Sequence, residues 1–559
     1  MTSRGFQLES QTLGPLPVID AFLDRLGTDR LLAEAVPSDP RSHLPMAAAL
    51  GVLLRNLIEA RTPLYALAEW ARERDPQLLG IPASQPGFFN DDRVGRALDH
   101  LFDADRAALQ TAVVVSAIRQ FGVHLDELHN DSTTITFSGA YPEADGGRLR
   151  GQPTVRIAHG HNKDHRDDLK QLLWILTVSA DSAFPVHCRI ADGPTSDTEP
   201  HREVWDLLVQ LAGRADFLYV ADSKLCTREN MDHIASHGGR FLTVLPRSRK
   251  EDPDFRTWVV NHAPDWVTVR GGTADARLMC EAPWPSADGY RVVWILSTSK
   301  AKRDADTRRV RIRKASERLD ELAERLHGPK SRIRSKGGAD AAVRAILKET
   351  VAEPYVEVSL EEVATPSFRQ ERRGHPGENT RYRRVDQTRI TLTWKLRDDL
   401  IATEAKSDGM FPLITNCRDL SLAELLDHYK YQPCLERRHE QLKSGLAVVP
   451  MWLKNIGRIE AILLLYFIAL LVRALLEREV RRRMTDQDLA TIPLYPEDRD
   501  CPAPSAERIL AIFGPLERHR LLSGDRLVQT FEPRLSPIQR RVLKLLGLSP
   551  SIYRLSPPS

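Results

Sequence analysis

The chain has 559 residues, a formal net charge of +3 and 42% hydrophobic content, which predicts two to four units and excludes wholesale disorder. Six cysteines with no C-x-x-C pair exclude a disulfide framework and fit a reducing, intracellular compartment. Met1 to Pro17 lacks the apolar stretch of a signal peptide, and the apolar run Ala461 to Val472 is shorter than the roughly 18 residues of a membrane span, so it reads as a buried helix with no membrane partner.

Residues 1–120 read as a helical domain. Apolar residues recur at three-to-four spacing in Val18 to Leu26, Ala47 to Leu57 and Ala66 to Trp70, punctuated by Pro37, Pro40, Pro63, Pro82 and Pro86. Asn90-Asp91-Asp92-Arg93 before Val94 has the form of an N-cap and acidic first turn. A plain bundle is the simpler reading; a DNA- or partner-binding module is the functional one.

Over 121–249 the period changes to that of strands. Val123 to Leu128 with Thr133 to Phe137, then Leu172 to Val178 and Phe184 to Ile190, precede a helix at Glu203 to Leu211. A strand Phe217 to Val220 ends at Ala221-Asp222, followed by a helix Thr227 to Ser236 and a strand Phe241 to Leu245. This β-β-β-α-β-α-β order is α/β rather than a sandwich.

Residues 250–400 read as a β-rich insertion, with strands at Trp258 to Val260, Trp266 to Val269, Arg291 to Leu296, Tyr355 to Leu360 and Arg389 to Trp394 around a charged helix, Ala301 to Leu326. Arginine is dense here: Arg308, Arg309, Arg311 and Arg313 with Lys314, then Arg369, Arg372 and Arg373, then Arg381, Arg383 and Arg384. Such runs are solvated faces or phosphate contacts, since guanidinium forks match phosphate oxygens. Trp258, Trp266, Trp284 and Trp294 read as core, with stacking on a displaced base as the alternative.

Over 401–485 a strand Phe411 to Thr415 leads to a helix at Ser421 to Tyr429, with Ser421 and Glu424 as a capping box, a long helix from Pro433 and an apolar helix at 459–472. After a proline-rich break at 493–504, residues 486–559 close with a small helical tail, its apolar pieces at Ile509 to Phe513 and Ile538 to Leu546.

Three acids stand out by position. Asp131 shares a strand face with Thr133, Ile135 and Phe137, where a carboxylate is costly without a compensating cation. Asp222 ends a strand, and strand ends of α/β sheets are where sites form. Glu436 lies in the first turn of a helix. Each has an ordinary reading alone: a side-chain turn, a helix cap, a dipole partner. Together they fit one constellation, because converging carboxylates need a cation to stay ionised and an oxygen-only set suits Mg2+ or Mn2+. Two such ions serve an in-line phosphoryl displacement.

Tyr429-x2-Gln432-x3-Glu436-x6-Lys443 resembles the Tyr-x2-Arg-x3-Glu-x6-Lys signature of bacterial insertion-sequence transposases of the DDE class, with Gln432 in place of the arginine. The contexts Leu128 to Thr133, Val220 to Ser223, and Asp408-Gly409-Met410-Phe411 leading to Thr415-Asn416 are similar too. So are Asn162 to Gln171 and Asp91 to Arg96, in one branch of that family. The resemblance spans about 90 to 540.

It implies an RNase H-like mixed-sheet core with the β-rich insertion between the second aspartate and the glutamate. It implies Asp131, Asp222 and Glu436 as catalytic ligands of two Mg2+ or Mn2+ ions, and Tyr429 and Lys443 on DNA phosphates. Gln432 offers a phosphate a hydrogen bond without charge, which Lys430, Arg437 or Arg438 could supply. Seven helical residues return to almost the same face, which puts Glu436 and Lys443 about 10 Å apart along one side of the helix.

The implied activity is cleavage at the terminal inverted repeats of a mobile element, then attack of the exposed 3′-hydroxyl on target DNA, by a homodimer on double-stranded DNA in the bacterial cytoplasm, at the nucleoid when bound. An inactive or domesticated DNA-binding descendant and a nuclease without strand transfer are the alternatives. His159, His161 and His165 with Asp164 follow no usual zinc spacing, and His439 reads as a packing or surface group. No Walker loop or serine-hydrolase elbow occurs.

Overall fold

The computed structural model describes residues 6–37, 44–59, 62–81, 89–195, 201–272, 275–328, 331–333, 335–446, 453–524 and 526–554. Pro40, Pro82 and Pro86, expected as punctuation, lie outside them. The chain forms two compact units, Met1–Thr243 with Asp427–Ser559, and Val244–Leu426. The N-terminal helices, the strands after them and the C-terminal segments therefore share one unit.

That unit opens with β1 (Phe6–Thr12) and six helices: α1 (Leu16–Leu26), α2 (Thr28–Ala35), α3 (Met46–Glu59), α4 (Leu67–Arg72), α5 (Asp91–Asp103) and α6 (Arg106–Phe121). The helical period does what it predicts: Val18, Ile19, Phe22, Leu23 and Leu26 of α1 are all buried. Asn90 caps α5, its side chain accepting from the Arg93 amide at 2.8 Å.

A mixed sheet follows, from β2 (Glu127–Phe137), the short pair β3 (Arg148–Leu149) and β4 (Gln152–Pro153), β5 (Lys170–Ser179), β6 (Phe184–Ala191), α7 (His201–Ala212), β7 (Leu218–Ala221), α8 (Arg228–Ser236) and β8 (Arg240–Val244). Its order is β6-β5-β2-β7-β8. The β6–β5 and β5–β2 pairs are antiparallel, while β2–β7 and β7–β8 are parallel. As an inner strand, β2 is buried along its length except at Glu127 and Asp131.

The second unit contains α9 (Glu251–Asn261), β9 (Val267–Arg270), β10 (Arg277–Glu281), β11 (Arg291–Ser297), α10 (Thr298–His327), α11 (Lys336–Thr350), β12 (Val356–Gln370), β13 (Tyr382–Leu396), α12 (Asp398–Ala405) and β14 (Met410–Thr415). Strands β14-β11-β10-β9 pair antiparallel, and β12 with β13 forms a separate two-stranded ribbon. The base of that ribbon packs on the helices through Val356, Ile390 and Leu392 against Leu319, Leu322 and Val343. The insertion is thus as helical as it is stranded. The expected strand Trp258 to Val260 lies inside α9, because a three-residue apolar run does not discriminate strand from helix while Glu251, Asp252 and Asp254 favour a helix start. Of the four tryptophans, Trp294 is core, stacked on Phe255 at 4.0 Å.

The chain returns to the first unit through α13 (Leu422–Tyr429), which Ser421 and Glu424 cap reciprocally as expected. Then come α14 (Gln432–Glu440), a π-helical turn Gln441–Gly445, α15 (Ile456–Asp486), β15 (Ile492–Tyr495), β16 (Arg499–Cys501), α16 (Ala506–Ala511), β17 (Glu517–Ser523), β18 (Arg526–Phe531) and α17 (Pro537–Leu546). The expected long helix from Pro433 is therefore only nine residues. The tail is not wholly helical either: β18 pairs with β17, and β17 with β1, in register Phe6↔Ser523. The alternation in β1 covers only Phe6 to Glu9 and β17 has none, so each becomes a strand through a partner far away in sequence.

Helix α15 organises this unit. It is long and apolar enough by composition to cross a membrane, yet its apolar stretch is entirely buried inside the unit. Its later turns are buried too as far as Val480, and Glu477, Arg478 and Glu479 there are ion-paired. The Arg478 side chain, 4% exposed, donates to Asp181 at 2.7 Å and to the Phe121 and Gly122 carbonyls at 2.9 and 3.0 Å, closing the C-terminus of α6. Replacing Arg478 by Ala strands these acceptors. Urea unfolding should show a loss of about 3 kcal/mol or more, with Arg478→Lys restoring only part because it lacks the guanidinium fork.

Candidate active site

The site begins with a register. In the parallel β2–β7 ladder Asn130 faces Ala221. The next residues, Asp131 and Asp222, therefore leave the ladder abreast, on strands about 4.8 Å apart. Asp131 continues β2; Asp222 turns out of β7 and caps the 3-10 turn Ser223–Leu225, accepting from the Lys224 amide at 3.0 Å. The Thr243 hydroxyl on β8 fixes that exit by donating to the Asp222 carbonyl at 2.6 Å. Burial pushes the Asp222 carboxyl above the usual range, the Lys224 amide pulls it back, and the charge of Asp131 pushes it up again.

Cations and a histidine gather around Asp131. Lys163 donates to its Oδ1 at 3.3 Å and to the Ser132 carbonyl and hydroxyl, each at 2.7 Å. His439 of α14 places Nδ1 3.9 Å from Asp131 Oδ2. Lys443 donates to both oxygens of Asp164 at 2.7 Å. Lys163 and Asp164 lie in the stretch Asn162 to Gln171, whose resemblance to transposases assigns a role to neither. Only the folded chain brings them to this place.

Glu436 is not drawn into the pair. Helix α14 buries Leu435, Arg438 and His439, leaving Glu436 and Arg437 exposed. Among the described residues, no three His, Cys, Asp or Glu side chains come together as a metal-holding group. Asp131 and Asp222 present carboxylate oxygens of the kind a divalent cation takes, so the fit extends to two carboxylates of the expected three. The continuous helical spacing expected between Glu436 and Lys443 is also broken, since Lys443 sits in the wider π turn.

The other DNA-contact candidates separate by burial. Arg438, 3% exposed, pairs with Glu477 of α15 at 2.8 Å and donates to the Ser182 and Ala183 carbonyls at 2.8 and 2.9 Å, so it cannot supply charge in place of Gln432. Arg437 is exposed, whereas Tyr429, Lys430 and Gln432 are half-buried. His428 and His129 both hold Glu127, at 2.9 and 2.7 Å, tying the end of α13 to the start of β2. Burial raises Glu127, but these two hydrogen bonds prevail and hold it down at about 2. His129 also packs on the Tyr431 ring, whose hydroxyl accepts from the Ala183 amide at 2.6 Å.

His439, expected as a packing or surface group, is buried beside Asp131. Burial, then the ammonium groups of Lys163 and Lys443, push its imidazole down to about 3. In the unfolded chain it titrates near 6.5. Between those values the folded state binds fewer protons, so stability is present above about 6.5 and is lost as pH falls toward 3. Urea midpoints at pH 7 and pH 5 test this. His439→Gln, which cannot titrate, should lose less stability on acidification than the parent, by about 2 kcal/mol at most.

Residues 8–115 match a family described as a domain of unknown function (DUF4277). No curated protein matches the chain. Among solved structures, the chain is similar to a piggyBac transposase in a synaptic complex with hairpin DNA, at 7% identity over 91% of this chain and 81% of that one, with a TM-score of 0.37.

Proposed function

We propose that the chain is a DNA transposase whose cleavage and strand transfer take place at Asp131 and Asp222. The observation that carries this reading is the β2–β7 register, which sets two aspartates abreast on adjacent parallel strands of a mixed sheet. The Tyr429 to Lys443 signature supports it, in the helices and turn that present His439 to Asp131 and Lys443 to Asp164. In this reading the core is RNase H-like. Asp131 and Asp222 would hold Mg2+ or Mn2+, without Glu436, which α14 leaves exposed. The bound ions would offset charge on the attacking and leaving oxygens of a phosphoryl displacement. Lys443 faces a backbone phosphate. The partners are the element's terminal inverted repeats and a target duplex, with two protomers on the DNA.

Two observations favour a second reading, an inactive DNA-binding descendant: Glu436 stands exposed, and Lys163 pairs with Asp131. End-repeat DNA, Mn2+ and a target plasmid separate the two. The transposase reading expects cleaved ends and joined products, with Asp131→Asn and Asp222→Asn each lowering both by about a thousandfold while duplex affinity persists. Binding without cleavage by the unaltered chain establishes the second reading. Cleavage without joining indicates a nuclease.

The arginine clusters of the second unit divide in a way that bears on DNA. On α10, Arg308 is committed, donating to Asp408 at 2.8 Å, while Arg309 and Arg313 make surface pairs with Asp306 at 3.0 Å and Glu317 at 3.8 Å, and Arg311 and Lys314 carry no ion pair among the described residues. On the β12–β13 ribbon, Arg369 and Arg383, with Arg372, Arg373 and Arg381 in the loop that joins its strands, are exposed and carry no ion pair among the described residues. A two-stranded ribbon fits the major groove, and unpaired guanidinium groups suit its phosphate walls. Changing Arg372, Arg373, Arg381 and Arg383 together to Ser should flatten the slope of log affinity against log salt by about three to four units. An unchanged slope removes the ribbon from the DNA contact.

A further inference from the structure

We propose that the turn Asn162-Lys163-Asp164 is a built-in set of counter-charges for this site, with Lys163 standing at Asp131 where a cation would bind, Asp164 standing at Lys443 where a phosphate would bind, and both yielding when those ligands arrive. This rests on the roles given above to Asp131 and Lys443.

The geometry is specific in sign. Two adjacent residues of opposite charge each pair with a site residue of the complementary charge: Lys163 with Asp131 at 3.3 Å and Asp164 with Lys443 at 2.7 Å. The turn itself is held. Asn162 is 2% exposed, and its side-chain oxygen accepts from the Asp164 amide at 2.8 Å and the Arg166 amide at 3.4 Å. His165 takes a left-handed φ of 57°, which reverses the chain there. The charged ends are less enclosed, with the Lys163 side chain 29% and the Asp164 side chain 39% exposed. Part-exposed ion pairs are weak, so a dication or a phosphodiester can replace either partner while the turn keeps its shape. The positive charge of Lys163 also reaches Asp222, so it moderates the repulsion within the aspartate pair.

Two bindings measured on the full chain test this: Mn2+ alone, by titration calorimetry, and a short random-sequence duplex across a salt series. Lys163→Met should tighten Mn2+ binding about threefold or more, and Asp131→Asn should cancel that gain. Asp164→Asn should leave Mn2+ affinity unchanged, but tighten duplex binding about threefold and steepen its salt slope by about one unit, an effect absent when Lys443→Met is added. Lys163→Arg and Asp164→Glu keep the charges and should behave as the parent, which a packing role would not allow. Weaker or unchanged Mn2+ binding in Lys163→Met, or an unchanged slope in Asp164→Asn, overturns the proposal while leaving the functional reading intact. Failure of the parent and every variant to bind both Mn2+ and duplex overturns the two together.

Discussion

The pairing of Asn130 with Ala221 across a parallel ladder is the constraint on which the site depends. A parallel neighbour brings equivalent positions of two strands side by side, so one register decides that Asp222 leaves β7 beside Asp131 of β2. A slip of one residue would turn one carboxylate to the opposite face. Neighbouring contacts resist that slip: Asn130 donates to Thr177 on β5 at 2.8 Å, and Thr243 on β8 holds the Asp222 carbonyl. The polar groups buried around β2 hold a strand at a fixed height.

The rotation of α14 is settled elsewhere. Arg438 is bound to Glu477 of α15 and to carbonyls of the β5–β6 turn, which commits one face of a nine-residue helix to the interior. His439 goes inward with it, and Glu436 stays outside. A buried guanidinium is costly to leave unpaired, so this contact outweighs the preference of any single carboxylate on the same helix. Helix α15 does the same for α6 through Arg478 and for α3 through Arg473, which donates to the Ile58 carbonyl at 3.3 Å. An apolar first half buries the helix, and a charged second half fixes what packs around it.

Cationic side chains thus serve two ends. Arg308, Arg438, Arg473 and Arg478 are structural, each consumed by carboxylates or carbonyls. Those on the ribbon remain exposed to solvent. Lys163 and Lys443 fall between, paired but reachable. Sequence density alone cannot separate these classes, since Arg308 and Arg369 sit in equally basic runs, and only the position of an acid across the fold distinguishes them.

Local chemistry determined much of this protein. The helices of the N-terminal segment, the Asn90 and Ser421 caps, the order of strands through the first part of the sheet and the buried character of α15 follow from periodicity and capping, which act over a few residues. Asp131 and Asp222 could be singled out because a strand carrying an acid at an inner position is unusual within its own short window. What lay beyond reach depended on partners distant in sequence. The strand at Phe6–Thr12 exists because Glu517–Ser523 is there to receive it. The α9 segment and the shortness of α14 turned on choices that short apolar runs leave open. The inward turn of His439, the outward turn of Glu436 and the pairing of Lys163 and Asp164 with Asp131 and Lys443 were decided by tertiary packing, because the direction of a side chain is set by what its helix or turn must bury, and that surface belongs to another part of the chain.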